Sequence, residues 1–294
     1  LKISFARPHS PYDPPQRILE MYENIEIPAP AEGEWSKHIG KDITDPQADS
    51  SAAFAQFSTE YVKNTRKHYY AAVTFIDEQV GRIVKALKEK GMYDNTIICF
   101  TSDHGDMMGD HHSWRKTYAY EGSAAIPMII KTPKDVEGVH CRGKVIENPV
   151  ELRDILPTFL DAAGVETPEA MDGRSMLKLI KEENPQWRRW IDMEHATCYS
   201  EENYWCALTD GKIKYIWFLR TGEEQLFDLV KDPHETVNQI TNRKYRKQTD
   251  ELRRAMAEHL SERGDKWVKD GQLQKREKTL LYSPNYPSGL STKK

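Results

Sequence analysis

Short apolar strands alternating with helix-spaced apolar faces predict an α/β fold: a mostly parallel, mixed sheet flanked by helices, followed by a smaller carboxyl-terminal α+β subdomain containing an antiparallel sheet. Three observations carry this. The runs Thr96-Ile97-Ile98-Cys99-Phe100 and Ile126 to Lys131 read as buried strands, the second closed by Pro133. Helical faces flank them, Val73, Ile76, Val80, Ile83, Val84 and Leu87 on one side and Leu152, Ile155, Leu156, Phe159 and Leu160 on the other. Beyond about residue 190 the pattern changes, and Tyr204 to Thr209 with Lys212 to Leu219 flank Asp210-Gly211, a strong hairpin signal. The expected units are 1–188, part of an α/β domain, and 189–294, the small α+β subdomain and its tail.

Each element has its own local reason. Leu1 to Phe5 reads as a strand that empties into a loop punctuated by Pro8, Pro11, Pro14 and Pro15, with His9 in it. Arg17 to Glu23 suits a short helix, and Pro28 to Lys41 is a long excursion of the kind that is functional or disordered. The helix through Val73 and Leu87 stops near Gly91, and the one through Leu152 stops at Gly164. Trp190 to Met193 is strand-like, Glu224 to Leu229 can add a third strand to the hairpin, and Lys244 to Arg263 carries Leu252, Met256 and Leu260 at helical spacing. Lys275 to Lys294, rich in Pro, Ser and Lys, is expected to run extended over the surface.

Charge and cysteine usage exclude several classes. A formal net charge of -4 with interspersed signs gives no electrostatic footprint for nucleic acid. No apolar run reaches membrane-spanning length. Four cysteines without Cys-x-x-Cys spacing make neither a zinc site nor a disulfide framework; Cys99 reads as a small core residue, and a Cys198–Cys206 bridge is the minor alternative to free thiols.

The chemistry concentrates where the strand ending at Phe100 opens into Thr101-Ser102-Asp103-His104-Gly105-Asp106, followed by Gly109-Asp110-His111 and Trp114-Arg115-Lys116. In open α/β sheets ligands bind at the carboxyl ends of strands. An oxygen donor beside an imidazole suits a divalent metal, and a lysine a short loop away suits an anion. Against this stands the plain reading, in which Asp and His only shape a turn and the lysine is a solvated surface residue.

The longer pattern resembles the type I sulfatases of the alkaline phosphatase superfamily, to which phosphonate monoester hydrolases and choline sulfatases also belong. It runs from Arg7-Pro8-His9-Ser10-Pro11-Tyr12 through Tyr69-Tyr70-Ala71, the Asp103 motif, Tyr120-Glu121-Gly122 and Ile126-Pro127 to Asp154-Ile155-Leu156-Pro157-Thr158. Asp172-Gly173-Arg174-Ser175 and Leu226-Phe227-Asp228-Leu229 with Asp232-Pro233 and Glu235 continue it to about residue 240.

The resemblance implies a sulfuric ester hydrolase. Asp103 and His104 would be metal ligands, with calcium the first choice and manganese or zinc the alternatives favoured by the imidazole. Lys116 would contact the sulfate, and His9 would act as the general acid. His111 would lie in the pocket wall, and Glu194 and His195, at the end of a strand-like run, would contact substrate from the small subdomain. Tyr204, Trp205 and Trp217 either stack on a sugar or fill the core. The family nucleophile, a formylglycine made within Cys-x-Pro-x-Arg, is not in this chain: no cysteine here has that context, and no Asp-Asp pair supplies the remaining ligands. The chain is therefore expected to be the carboxyl-terminal portion of a longer enzyme, completed by the missing amino-terminal half and inactive alone. Its substrate would be a sulfated small molecule or carbohydrate. Rival readings are a phosphonate or phosphate ester hydrolase on the same scaffold, and a noncatalytic metal- or glycan-binding relic. The sequence fixes no cellular address.

Overall fold

The computed structural model describes residues 1–39, 41–42, 53–136, 138–139, 142–196, 198–200 and 202–277. In chain order these form α1 (Gln16–Leu19), β1 (Lys41–Asp42), β2 (Ala55–Gln56), α2 (Thr59–Glu89), β3 (Ile98–Thr101), α3 (Glu121–Ala124) and β4 (Met128–Lys131). Then follow α4 (Ile155–Ala162), α5 (Leu177–Lys181), β5 (Ile191–His195), β6 (Trp205–Thr209), β7 (Ile213–Phe218), β8 (Glu224–Asp228), α6 (Arg246–Ser261), β9 (Val268–Lys269) and β10 (Gln272–Leu273). The expected tail from residue 278 onward, and Cys141, lie outside the described residues.

The α/β class expected from the sequence is the class observed, with helices and sheets together and an antiparallel sheet in the carboxyl-terminal part. Two details differ from the elements as read. Strands β3 and β4 pair antiparallel, Cys99 opposite Ile130, and parallel pairing among the described residues is confined to β1 and β2. The reason is the connection. Between β3 and β4 the chain folds back through a loop with one four-residue helix, not through a packed crossover helix of the kind a parallel pair needs. Leu1 to Phe5 takes no strand assignment and is exposed, because it meets no strand partner among the described residues.

Helix α2 begins where the Ser58 hydroxyl accepts from the Tyr61 amide and ends before Gly91, whose φ of +65° suits a left-handed stop. It buries Val62, Ala71, Ala72 and Ile76. Arg17 of α1 forms two bonds to Glu78, and the Tyr22 hydroxyl meets Thr74 Oγ1 at 2.6 Å, so the segment after the His9 loop is tied to α2.

The second body is a meander, β5-β6-β7-β8, all antiparallel, with Asp210-Gly211 at the turn as read. Strand alternation gives it two faces. One carries Cys206, Leu208, Tyr215, Trp217 and Leu226 against Leu252, Met256 and Leu260 of α6. The other carries Trp205, Ala207, Ile216 and Phe227 against Met107, Tyr118, Ala119 and Tyr120. The loop after β3 is thus half of a hydrophobic core whose other half is the carboxyl-terminal sheet. Cys99, Cys198 and Cys206 are free thiols, so the alternative Cys198–Cys206 bridge is not formed.

Candidate active site

Thr101 is the last residue of β3, and the chain then turns sharply. The Ser102 hydroxyl donates to the His104 carbonyl, and the Gly105 amide donates to Ser123 O at 2.8 Å. Residue 105 has to be glycine, since a Cβ there would sit 2.2 Å from Gly122 O. This close approach throws Asp103 outward, its side chain 87% exposed. The His104 amide donates to Asp103 Oδ1 at 3.1 Å. His104 Nδ1 lies 2.7 Å from Gly105 O, which makes it the protonated nitrogen and leaves Nε2 as the free acceptor.

One carboxylate organises the rest of the loop. Asp106 Oδ1 accepts from the Met108 and Arg115 amides at 3.1 and 3.0 Å, and Oδ2 accepts from the Tyr12 hydroxyl at 2.8 Å. Burial and the neighbouring Asp106 charge push the Tyr12 phenol well above its ordinary range, so it stays a donor. The His9 loop and the Lys116 segment are thereby fastened to the same anchor. The result is contact: Lys116 Nζ lies 2.9 Å from His9 Nε2, while His9 Nδ1 is committed to Ser10 O at 2.8 Å. The His9 and His104 rings stand edge to face, centroids 6.2 Å apart. His9, Asp103, His104 and Lys116, read separately from the sequence, form one cluster. Asp106, which the sequence reading left without a role, is what assembles it; a carboxylate two residues past the Asp-His pair was the available signal.

The other three predicted residues fall elsewhere. His111 is 2% exposed, its Nδ1 accepting from the Gly33 amide at 3.3 Å and its Nε2 donating to His234 O at 2.9 Å. Its ring packs on Trp35, centroids 4.6 Å apart, and burial holds it below the usual histidine range. It ties the 28–41 excursion to the carboxyl-terminal part and has no nitrogen left for a ligand. Glu194 and His195 are adjacent on β5 and so project from opposite faces. Glu194 pairs with Arg263 at 2.6 Å on the α6 side. His195 stacks on Trp205, whose Nε1 donates to Thr117 O, next to Lys116. Strand alternation separates the pair and keeps only His195 on the side of the cluster.

A cavity of about 180 Å³ lies between the loop and the carboxyl-terminal sheet, lined by Trp35, Phe54, Tyr118, Asn203, Trp205 and Gln225 among others, with none of His9, Asp103, His104 or Lys116 in its wall. Of the aromatics weighed for sugar stacking, Trp205 reaches it, whereas Tyr204 and Trp217 pack under α6.

Asp103 and His104 could supply two donors to a metal ion. His104 Nε2 and Asp103 Oδ1 are 3.9 Å apart, within the span of two donors each about 2.0 to 2.6 Å from a shared ion. The orienting bond from Nδ1 to a backbone carbonyl is the second-sphere arrangement usual for a ligating imidazole. Among the described residues no group of three or more His, Cys, Asp or Glu side chains converges.

Comparison with known proteins places the chain among sulfatases. The sulfatase family model matches residues 1–165, and that of the carboxyl-terminal region of N-sulphoglucosamine sulphohydrolase matches residues 109–262. An arylsulfatase of Clostridium perfringens is 40% identical over 94% of this chain and 56% of its own length. A choline-sulfatase of Rhizobium meliloti is 33% identical over 82% of this chain and 46% of its own. The solved phosphonate monoester hydrolase of Silicibacter pomeroyi superposes with a TM-score of 0.72 at 26% identity, covering 88% of this chain and 55% of that one. The chain spans about half the length of the relatives it matches. With more than half of its residues under the family model and the Asp103 loop at their centre, the chain belongs to the type I sulfatase family of the alkaline phosphatase superfamily.

Proposed function

We propose that these residues are the metal- and leaving-group side of a sulfuric ester hydrolase whose formylglycine nucleophile lies outside the 294 residues. The observation that carries the reading is the 2.9 Å contact between Lys116 Nζ and His9 Nε2 beside the His104 ring. Asp103 and His104 would hold a divalent ion, calcium first, with manganese or zinc as alternatives. When bound, that ion supplies Lewis-acid stabilisation of the sulfate charge. The protein side chains do the rest. Lys116 donates to a sulfuryl oxygen as negative charge builds on it. Once Lys116 turns from His9 to the sulfate, His9 takes a proton from solvent at Nε2 and, held through Nδ1 on Ser10 O, passes it to the ester oxygen as the sulfur–oxygen bond breaks. The substrate is a sulfated small molecule or carbohydrate, with His195 and the Trp205 cavity available to its body.

A second reading, phosphonate or phosphate monoester hydrolysis, is favoured by the fold similarity to the Silicibacter pomeroyi enzyme. Turnover of 4-nitrophenyl sulfate against a phenylphosphonate ester by the longer protein separates the two. A third, a metal- or glycan-binding relic, predicts turnover of neither. Asp103→Ala should leave the longer protein with well under half of its bound divalent ion. Full metal occupancy in that variant would reject the ligand assignment.

A further inference from the structure

Lys214, the second residue of β7, has a side chain with 0% exposure, an unusual place for an ammonium. Its ammonium donates to Ala119 O and to Glu235 Oε1, both at 2.8 Å, and forms an ion pair with Glu121 Oε1 at 2.7 Å. Glu235, 2% exposed, turns its other oxygen to the Glu121 amide at 2.6 Å, and its carbonyl accepts from Trp35 Nε1 at 2.8 Å. Every bond from this network to the loop lands between residues 119 and 121, three to five positions past Lys116.

The segment it grips needs holding. Arg115 and Thr117, on either side of Lys116, have φ of +69° and +87°, a region costly for any side chain and most of all for a β-branched one. Such a conformation persists only where the surroundings fix it. Nδ2 of Asn203, just before β6, and Nε1 of Trp205, the first residue of β6, hold Thr117 O, and the Tyr120 hydroxyl donates to Gln225. Stability alone would be served as well by an apolar pair in place of a buried ion pair. The directional bonds do something an apolar pair cannot: they fix the height and rotation of the 119–121 backbone against the sheet.

We propose that Lys214, Glu235 and Glu121 are positioning residues, a buried strut by which the carboxyl-terminal sheet sets the place of the Lys116 ammonium beside His9. The role in catalysis rests on the hydrolase reading; the mechanical role does not. The test uses the longer protein and the double variant Lys214→Met/Glu235→Met, which removes both charges at similar volume. Glu121→Ala, at a half-exposed position, is the milder second variant should the double one fail to fold. Two readouts are taken, kcat and KM on 4-nitrophenyl sulfate, and amide hydrogen exchange across 115–124 and across β6 and β7. The expected result is a fall in kcat of about tenfold or more with KM changed less than threefold, since displacement of a positioned group costs at this scale. Exchange in 115–124 should quicken while that of β6 and β7 stays put. Wild-type kcat in folded variants, or a kcat loss without faster exchange in 115–124, would overturn the proposal. If the parent protein turns over no sulfate ester, the hydrolase reading fails, and the exchange readout still decides whether the strut holds the loop.

Discussion

At the scale of single residues the proposed chemistry divides labour between Lys116 and His9. Removing Lys116 takes away a donor aimed at developing charge, so Lys116→Ala should lower kcat for every ester by about 3 kcal/mol, roughly a hundredfold. His9→Ala should penalise poor leaving groups most, because activated aryl esters depart without protonation. A leaving-group series in which both variants show the same slope would refute the assignment. His111 offers a pH prediction of a different kind. Burial depresses its folded pKa below the ordinary 6.5, so near and below that value the unfolded chain binds more protons. Its contribution to stability is present above pH 6.5 and lost as pH falls toward the depressed value. His111→Gln, which can still accept from Gly33 and donate to His234, should flatten the decline in melting temperature between pH 7 and pH 5. An unchanged slope in that window would show that other groups set it.

At the scale of elements, β5 is the instructive case. Adjacent residues on a strand face opposite ways, so Glu194 joins Arg263 on the α6 side and His195 joins Trp205 on the side of the loop. His195→Ala is expected to impair turnover of a sulfated sugar several-fold while sparing a plain aryl sulfate, since a site built to bond hydroxyls discriminates by them. Glu194→Ala should leave both substrates alone and cost under about 1 kcal/mol, as suits a half-exposed ion pair. The reverse pattern in steady-state assays would mean that the sheet presents its other face to substrate. The loop between β3 and β4 shows the same principle from the other side. Its Met107, Tyr118, Ala119 and Tyr120 are core residues, so catalytic candidates ride on a segment fixed by packing on both flanks.

At the scale of the molecule, apolar surface is distributed unevenly. The carboxyl-terminal sheet is sealed on both faces, yet Leu152, Leu156 and Phe159 around α4 and Ile129 of β4 are 40, 55, 37 and 61% exposed. Side chains of that size at helical and strand spacing belong against something. Purified as these 294 residues alone, the chain is expected to bind a hydrophobic dye, to self-associate, and to turn over no aryl sulfate even with divalent metal added. Sedimentation and a sulfate-release assay check this, and a monodisperse, active monomer would contradict it.

The amino-acid sequence by itself determined the strand that ends at Thr101, the hairpin at Asp210-Gly211 and the α6 face of Leu252, Met256 and Leu260, and it named Asp103, His104, Lys116 and His9 as candidates. These are local signals, periodicity, turn chemistry and short motifs, and each is complete within a few residues. What only the tertiary structure decided are relations between distant segments. His9 meets Lys116 across 107 positions because Asp106 binds both of their loops. His111, a motif residue with the same chemistry as His104, became a buried tie because Trp35 and Gly33 arrive against it. Lys214 on β7 and Glu235 in the loop after β8 meet under residues 119–121, a pairing that neither segment states by itself. A motif states which groups are at hand; burial and hydrogen-bond partners, set by segments far away in the chain, decide which of them are left free to act.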